Sequence, residues 1–169
     1  MNTESTIKLI ADSHSNAVEH GFYDGVENNW DSIRERIMLI ICEVAELMEA
    51  DRKGKWYGST SAFANDELRE QVAQSESRIH SHVNFNEFYG LFVKGHAEEE
   101  LADICIRIFD LLGFLDYKQI NIDIVYPYKP APCVKLMCFD MCNELISNAV
   151  YVGLQHTLCI INDYCKRNE

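Results

Sequence analysis

Proline is nearly absent from this chain. Its three prolines, Pro127, Pro130 and Pro132, sit within one short stretch, so long helices can run through the rest. Basic residues are few as well: 15 Lys and Arg face 27 Asp and Glu, a formal charge of -12. That sign argues against a nucleic-acid polymer as partner, because backbone affinity there comes from clustered Lys and Arg. It leaves nucleotides open, since a metal ion can carry their phosphates. Strand-like alternation bounded by turn residues is almost missing. No apolar run approaches membrane-spanning length. The start, Met1-Asn2-Thr3-Glu4-Ser5, lacks the basic and apolar stretches of a signal peptide. The expected setting is therefore the cytoplasm, with no membrane partner. Glycine-rich phosphate loops are absent, both G-x-x-x-x-G-K-[ST] and G-x-G-x-x-G. So are zinc-ligand spacings: His20, His80, His82, His96 and His156 form no i,i+4 pair that suggests zinc. No Glu-x-x-His occurs, which removes the ligands of a di-iron carboxylate bundle. Seven cysteines are present without a C-x-x-C pair, and Cys42, Cys105, Cys138 and Cys159 lie in apolar helical runs. They read as reduced thiols.

What is there is a hydrophobic content of 47% in 169 residues, enough for one domain with a real core. The expected organisation is a single helical domain over residues 1–169. Helices are predicted over about 5–20, 30–53 and 96–116, with two C-terminal helices within about 134–166. The middle of the second is apolar on all sides, which predicts a central bundle helix. The stretch of about 56–93 reads as an insertion, with a short polar helix near 65–78 and an aromatic segment of Phe85, Phe88, Tyr89 and Phe92. The fold class is all-α, a helical bundle with peripheral helices.

Two acidic motifs stand out inside apolar helical runs. Glu43-Val44-Ala45-Glu46 follows Ile37-Met38-Leu39-Ile40-Ile41-Cys42, and Glu100-Leu101-Ala102-Asp103 precedes Ile104-Cys105-Ile106. Residues three apart share a helix face, so each motif aims two carboxylates in one direction. Carboxylates among residues that favour burial are costly unless their charge is compensated. Four of them from two packed helices make a hard, oxygen-rich site suited to Mg²⁺ or Mn²⁺. On the third helix Glu100, Asp103, Arg107 and Asp110 form one charged stripe; on the second, Arg36, Glu43, Glu46 and Lys53 form another. The competing reading is a salt-bridge network within and between the helices, for example Asp103 with Arg107. Spacing alone does not separate the two. Arg52, Lys53 and Lys55 cluster where the second helix ends. They either complement the helix dipole or clamp a triphosphate, with Trp30 or Trp56 stacking on a base.

Leu39-Ile40-Ile41-Cys42-Glu43-Val44-Ala45-Glu46-Leu47-Met48-Glu49-Ala50-Asp51-Arg52-Lys53-Gly54-Lys55 and Lys94-Gly95-His96-Ala97-Glu98-Glu99-Glu100-Leu101-Ala102-Asp103-Ile104-Cys105-Ile106-Arg107, preceded by Gly21-Phe22-Tyr23-Asp24, resemble the MazG-like branch of the all-α NTP pyrophosphohydrolases. The resemblance spans roughly residues 7–121. It implies a MazG-like four-helix core, Mg²⁺ (or Mn²⁺), a homodimer or dimer of dimers, and cleavage of a nucleoside triphosphate to monophosphate and pyrophosphate, as in nucleotide-pool house-cleaning. It further implies that Glu43, Glu46, Glu100 and Asp103 hold the metal. Glu46 would also orient or deprotonate the attacking water, and Lys53, Lys94 and Arg107 would neutralise the phosphate chain. Two departures are visible. The spacer between Glu46 and Glu100 is longer than in compact members, so the insertion is expected to shape or cover the pocket. The segment Asp123-Ile124-Val125-Tyr126-Pro127-Tyr128-Lys129 lacks the Lys…Tyr-Asn…Arg ending common in relatives. Two alternatives come from other classes: a catalytically decayed nucleotide binder, and a helical interaction module whose acidic pairs only bridge salt.

Overall fold

The computed structural model describes residues 3–56, 89–90, 93–117 and 133–167. Among them are five helices and no strand: α1 (Thr3–Glu19), α2 (Trp30–Arg52), α3 (Ala97–Phe114), α4 (Val134–Ser147) and α5 (Val150–Arg167). The all-α expectation holds among the described residues, and the five longer expected helices are present with ends shifted by three residues or fewer. The short helix expected near 65–78 lies outside the described residues, as do Phe85, Phe88 and Phe92. No helix among the described residues is long and apolar enough to cross a membrane.

The central helix is α3, not α2. It packs against α1, α2 and α5, while α4 packs on α2 and α5. Flanked in this way, α3 buries Ala97, Leu101, Ile104, Ile108, Phe109, Leu111 and Leu112. The second helix buries one stripe, Ile40, Val44, Leu47 and Ala50. Its other apolar residues, Met38, Leu39 and Met48, stay exposed. The expectation of a second helix covered on all sides is thus corrected: α1 packs on α3 and leaves that side of α2 open. From the closing helices Met141, Leu145, Leu154, Leu158 and Ile161 enter the core, whereas Phe139 and Ile146 point outward, 65% and 70% exposed.

Local chemistry sets the ends that matter for the site. Asn29 caps α2, its side-chain oxygen accepting from the Ser32 N–H at 3.0 Å. At the other end Gly54 takes φ +66°, in the left-handed region where glycine costs least. The Lys55 N–H then reaches back to the Ala50 carbonyl at 3.0 Å. The Lys55 carbonyl accepts from the Ala97 N–H at 2.9 Å, so the end of α2 is bonded to the start of α3. The α1–α3 crossing depends on Gly113: a Cβ there would lie 2.4 Å from the Cβ of His14.

Candidate metal centre

Because α2 and α3 pack side by side, their acidic faces meet. One oxygen each from Glu43, Glu46 and Glu100 lie within 4.8 Å of one another. Glu100 is buried, Glu43 and Asp103 are half-buried, and Glu46 is exposed. Asp103 stands beside this trio without joining its close set of oxygens; the charge of Glu43 nonetheless reaches it. Burial, followed by repulsion from Glu43, raises the proton affinity of Asp103. Glu100 is perturbed more. Desolvation first, then Glu46 and the neighbouring carboxylates, push it up to about 7. Negative charge has been concentrated here faster than the protein supplies cations.

Few cations stand near the four carboxylates among the described residues. Arg107 bridges to Glu43, its Nε donating to Oε1 at 3.1 Å. The pairing is across the helices rather than with Asp103 one turn away. Among the described residues Glu46, Glu100 and Asp103 form no ion pair. Among the described residues, ion pairing thus engages Glu43, and the charge of Arg107 also offsets part of the repulsion on Asp103. Hard, anionic oxygens at this spacing, one of them buried, fit a divalent ion that takes oxygen ligands.

The basic residues expected at the site divide. Lys53 extends its Nζ to Glu49 Oε1 at 3.0 Å, and Arg52 grips both oxygens of the same carboxylate at 2.6 Å. These hydrogen bonds, Arg52 first, hold the Glu49 acid down to about 2. Lys94, exposed, precedes α3 and lines neither cleft described below. Glu99, in the first turn of α3, accepts from the Gly95 N–H and the Tyr89 hydroxyl, closing the turn that launches the helix. That hydrogen bond is the main cause that pushes the Tyr89 hydroxyl up to about 12.

Of two clefts, one includes two members of the trio and the other is linked to it through Arg107, the partner of Glu43. One, about 170 Å³, is lined by Glu46, Glu49, Ala50, Lys53, Lys55, Gly95 and Glu100. The other, about 210 Å³, is lined by Phe22, Val26, Glu35, Arg36, Leu39, Arg107 and Asp110. Behind the second cleft is a constellation that sequence reasoning misses. Asp110 accepts from the Tyr23 hydroxyl at 2.7 Å and lies 3.0 Å from His14 Nδ1. The Arg36 guanidinium sits 4.2 Å above the Tyr23 ring and 4.8 Å from that of Phe114. The partners are 87 and 96 residues apart in sequence, so no local spacing could disclose them. The available signals were Arg36 and Asp110 on their stripes and Tyr23 in the segment 21–24.

All seven cysteines are free thiols. Burial pushes Cys105 and Cys138 up to about 12, the opposite of what an activated thiolate needs. No family model, curated protein or solved structure matches the chain. A functional reading must therefore be argued from the residues.

Proposed function

We propose that this chain is a metal-dependent nucleoside triphosphate pyrophosphohydrolase of the MazG-like kind, converting a (d)NTP and water to the (d)NMP and pyrophosphate. The observation that carries the reading is the convergence of Glu43, Glu46 and Glu100 within 4.8 Å beside a cleft. Among the described residues Glu43 alone of the four carboxylates forms an ion pair, with Arg107, whose charge also reaches Asp103. The resemblance of residues 39–55 and 94–107 to the family points the same way. On this reading α1, α2 and α3 belong to the family's four-helix core. Glu43, Glu46, Glu100 and Asp103 would hold Mg²⁺ or Mn²⁺. Bound there, the ion would offset carboxylate charge, draw electron density from phosphate oxygens and acidify a water.

The chain's own residues supply the rest. Glu46 is exposed and without a hydrogen-bond partner among the described residues. It is the carboxylate free to orient a water and accept its proton. Arg107, anchored on Glu43, lines the second cleft and carries positive charge towards the phosphates. Met38, Leu39 and Met48, exposed along α2, support a homodimer or dimer of dimers.

The test is a panel of (d)NTPs with Mg²⁺ or Mn²⁺, scored for monophosphate and pyrophosphate. Glu46→Gln and Asp103→Asn should abolish turnover with the helical circular dichroism unchanged, because each removes charge at nearly constant shape. Hydrolysis at wild-type rates in both variants would remove these carboxylates from the chemistry. No product from any triphosphate would overturn the reading.

A further inference from the structure

We infer that Lys55 is the phosphate-binding cation of the cleft between the end of α2 and the start of α3, taking the oxygens of a polyphosphate chain. The inference rests on the hydrolase reading for its substrate but on separate residues for its geometry. Three cations close α2, and two are already engaged: Arg52 and Lys53 both pair with Glu49. Lys55 is different. It lines the cleft together with Glu46 and Glu100. Its side chain forms no ion pair or hydrogen bond among the described residues. A lysine beside two carboxylates, paired with neither, is available to an anion.

Its placement is built rather than incidental. The Lys55 N–H is bonded to Ala50 in α2 and its carbonyl to the Ala97 N–H of α3. The base of the side chain is thereby fixed to both helices that carry the acidic trio. The ammonium rests over Gly95, 3.5 Å from where a Cβ would project. Gly95 adopts φ +73°, a conformation that disfavours side chains, and the ammonium lies at ordinary contact distance above it. Charge also calls for such a group. Four carboxylates with Arg107 and one divalent ion still leave net negative charge, and a triphosphate adds more. Lysine serves as a point-charge phosphate binder in such settings.

The experiment uses the full chain and inorganic tripolyphosphate with Mg²⁺, followed by calorimetry, alongside steady-state hydrolysis. Lys55→Met should weaken tripolyphosphate binding by about ten-fold or more, the scale of one charge-assisted hydrogen bond. Lys55→Arg should recover most of it, and Lys53→Met should lose less than Lys55→Met. For a hydrolysed triphosphate, Lys55→Met should raise KM more than it lowers kcat. Wild-type affinity in Lys55→Met, or an equal loss in Lys53→Met, would overturn the inference. So would a wild-type chain that binds no tripolyphosphate. Lys55-dependent binding without hydrolysis of any triphosphate would uphold this subsite and reject the hydrolase reading instead.

Discussion

Glu100→Gln is the substitution whose outcome follows most directly from the electrostatics of the centre. The buried carboxyl is pushed from its usual 4.5 to about 7 by desolvation, with Glu46 the next contributor. Below pH 4.5 it is protonated in both folded and unfolded chains, and its burial carries no ionisation penalty. Between 4.5 and 7 the unfolded chain releases the proton while the folded chain retains it, so stability falls as pH rises. Above 7 the loss is complete. At 1.36 kcal/mol per unit, discounted for solvent screening and for the shared repulsion of its neighbours, the span amounts to about 1–2 kcal/mol. For a domain of this size that is a melting shift of roughly 2–8 °C. Glutamine keeps the shape and cannot ionise. In EDTA, wild type and variant should match near pH 4.5, and the variant should be the more stable by about 1–2 kcal/mol at pH 8. Asp103 shifts in the same direction, so both proteins retain some slope, and the difference curve reports the loss of the Glu100 charge together with its repulsion of Asp103. Urea melts followed by circular dichroism across this range measure it. Adding Mg²⁺ at pH 8 should restore wild-type stability by mass action and do much less for the variant. Parallel pH curves for the two proteins, or a wild type indifferent to Mg²⁺, would refute the reasoning.

Arg107→Lys retains the charge but loses the directional Nε bond to Glu43; kcat/KM should fall about ten-fold, about 1.4 kcal/mol of transition-state stabilisation, whereas full activity would leave Arg107 a structural bridge. Gly113→Ala places a Cβ 2.4 Å from His14 Cβ and 3.2 Å from the Ile10 carbonyl oxygen. It should cost about 1–3 kcal/mol in denaturant melts by forcing α1 off α3. Light scattering at micromolar concentration should give at least a dimer, and Met38→Lys on the exposed face of α2 should shift it towards monomer; a strict monomer would reject association through that face.

Helix existence and side-chain direction were legible in the order of residues. Glu43 and Glu46 share a face because 3.6 residues make a turn, and so do Glu100 and Asp103. Gly54 marks the end of α2, as its positive φ bears out. Those properties belong to a single helix, and local sequence specifies them. The apolar middle of α2, by contrast, points to the wrong helix as the central one, because centrality depends on what packs around a helix. The relation between helices is another matter. Whether Arg107 would pair with Asp103 or reach Glu43, whether Glu100 or Asp103 would close the trio, and whether Lys53 or Lys55 would stay unpaired all depend on the axial register and rotation of α2 against α3. The meeting of His14, Tyr23 and Asp110 depends likewise on how α1 crosses α3 over Gly113. Register and crossing are set by the packing of the whole apolar interface, a sum of many small contacts that no local spacing encodes. The sequence by itself determined which carboxylates could converge; the tertiary structure alone decided which of them do, and which cations stand beside them.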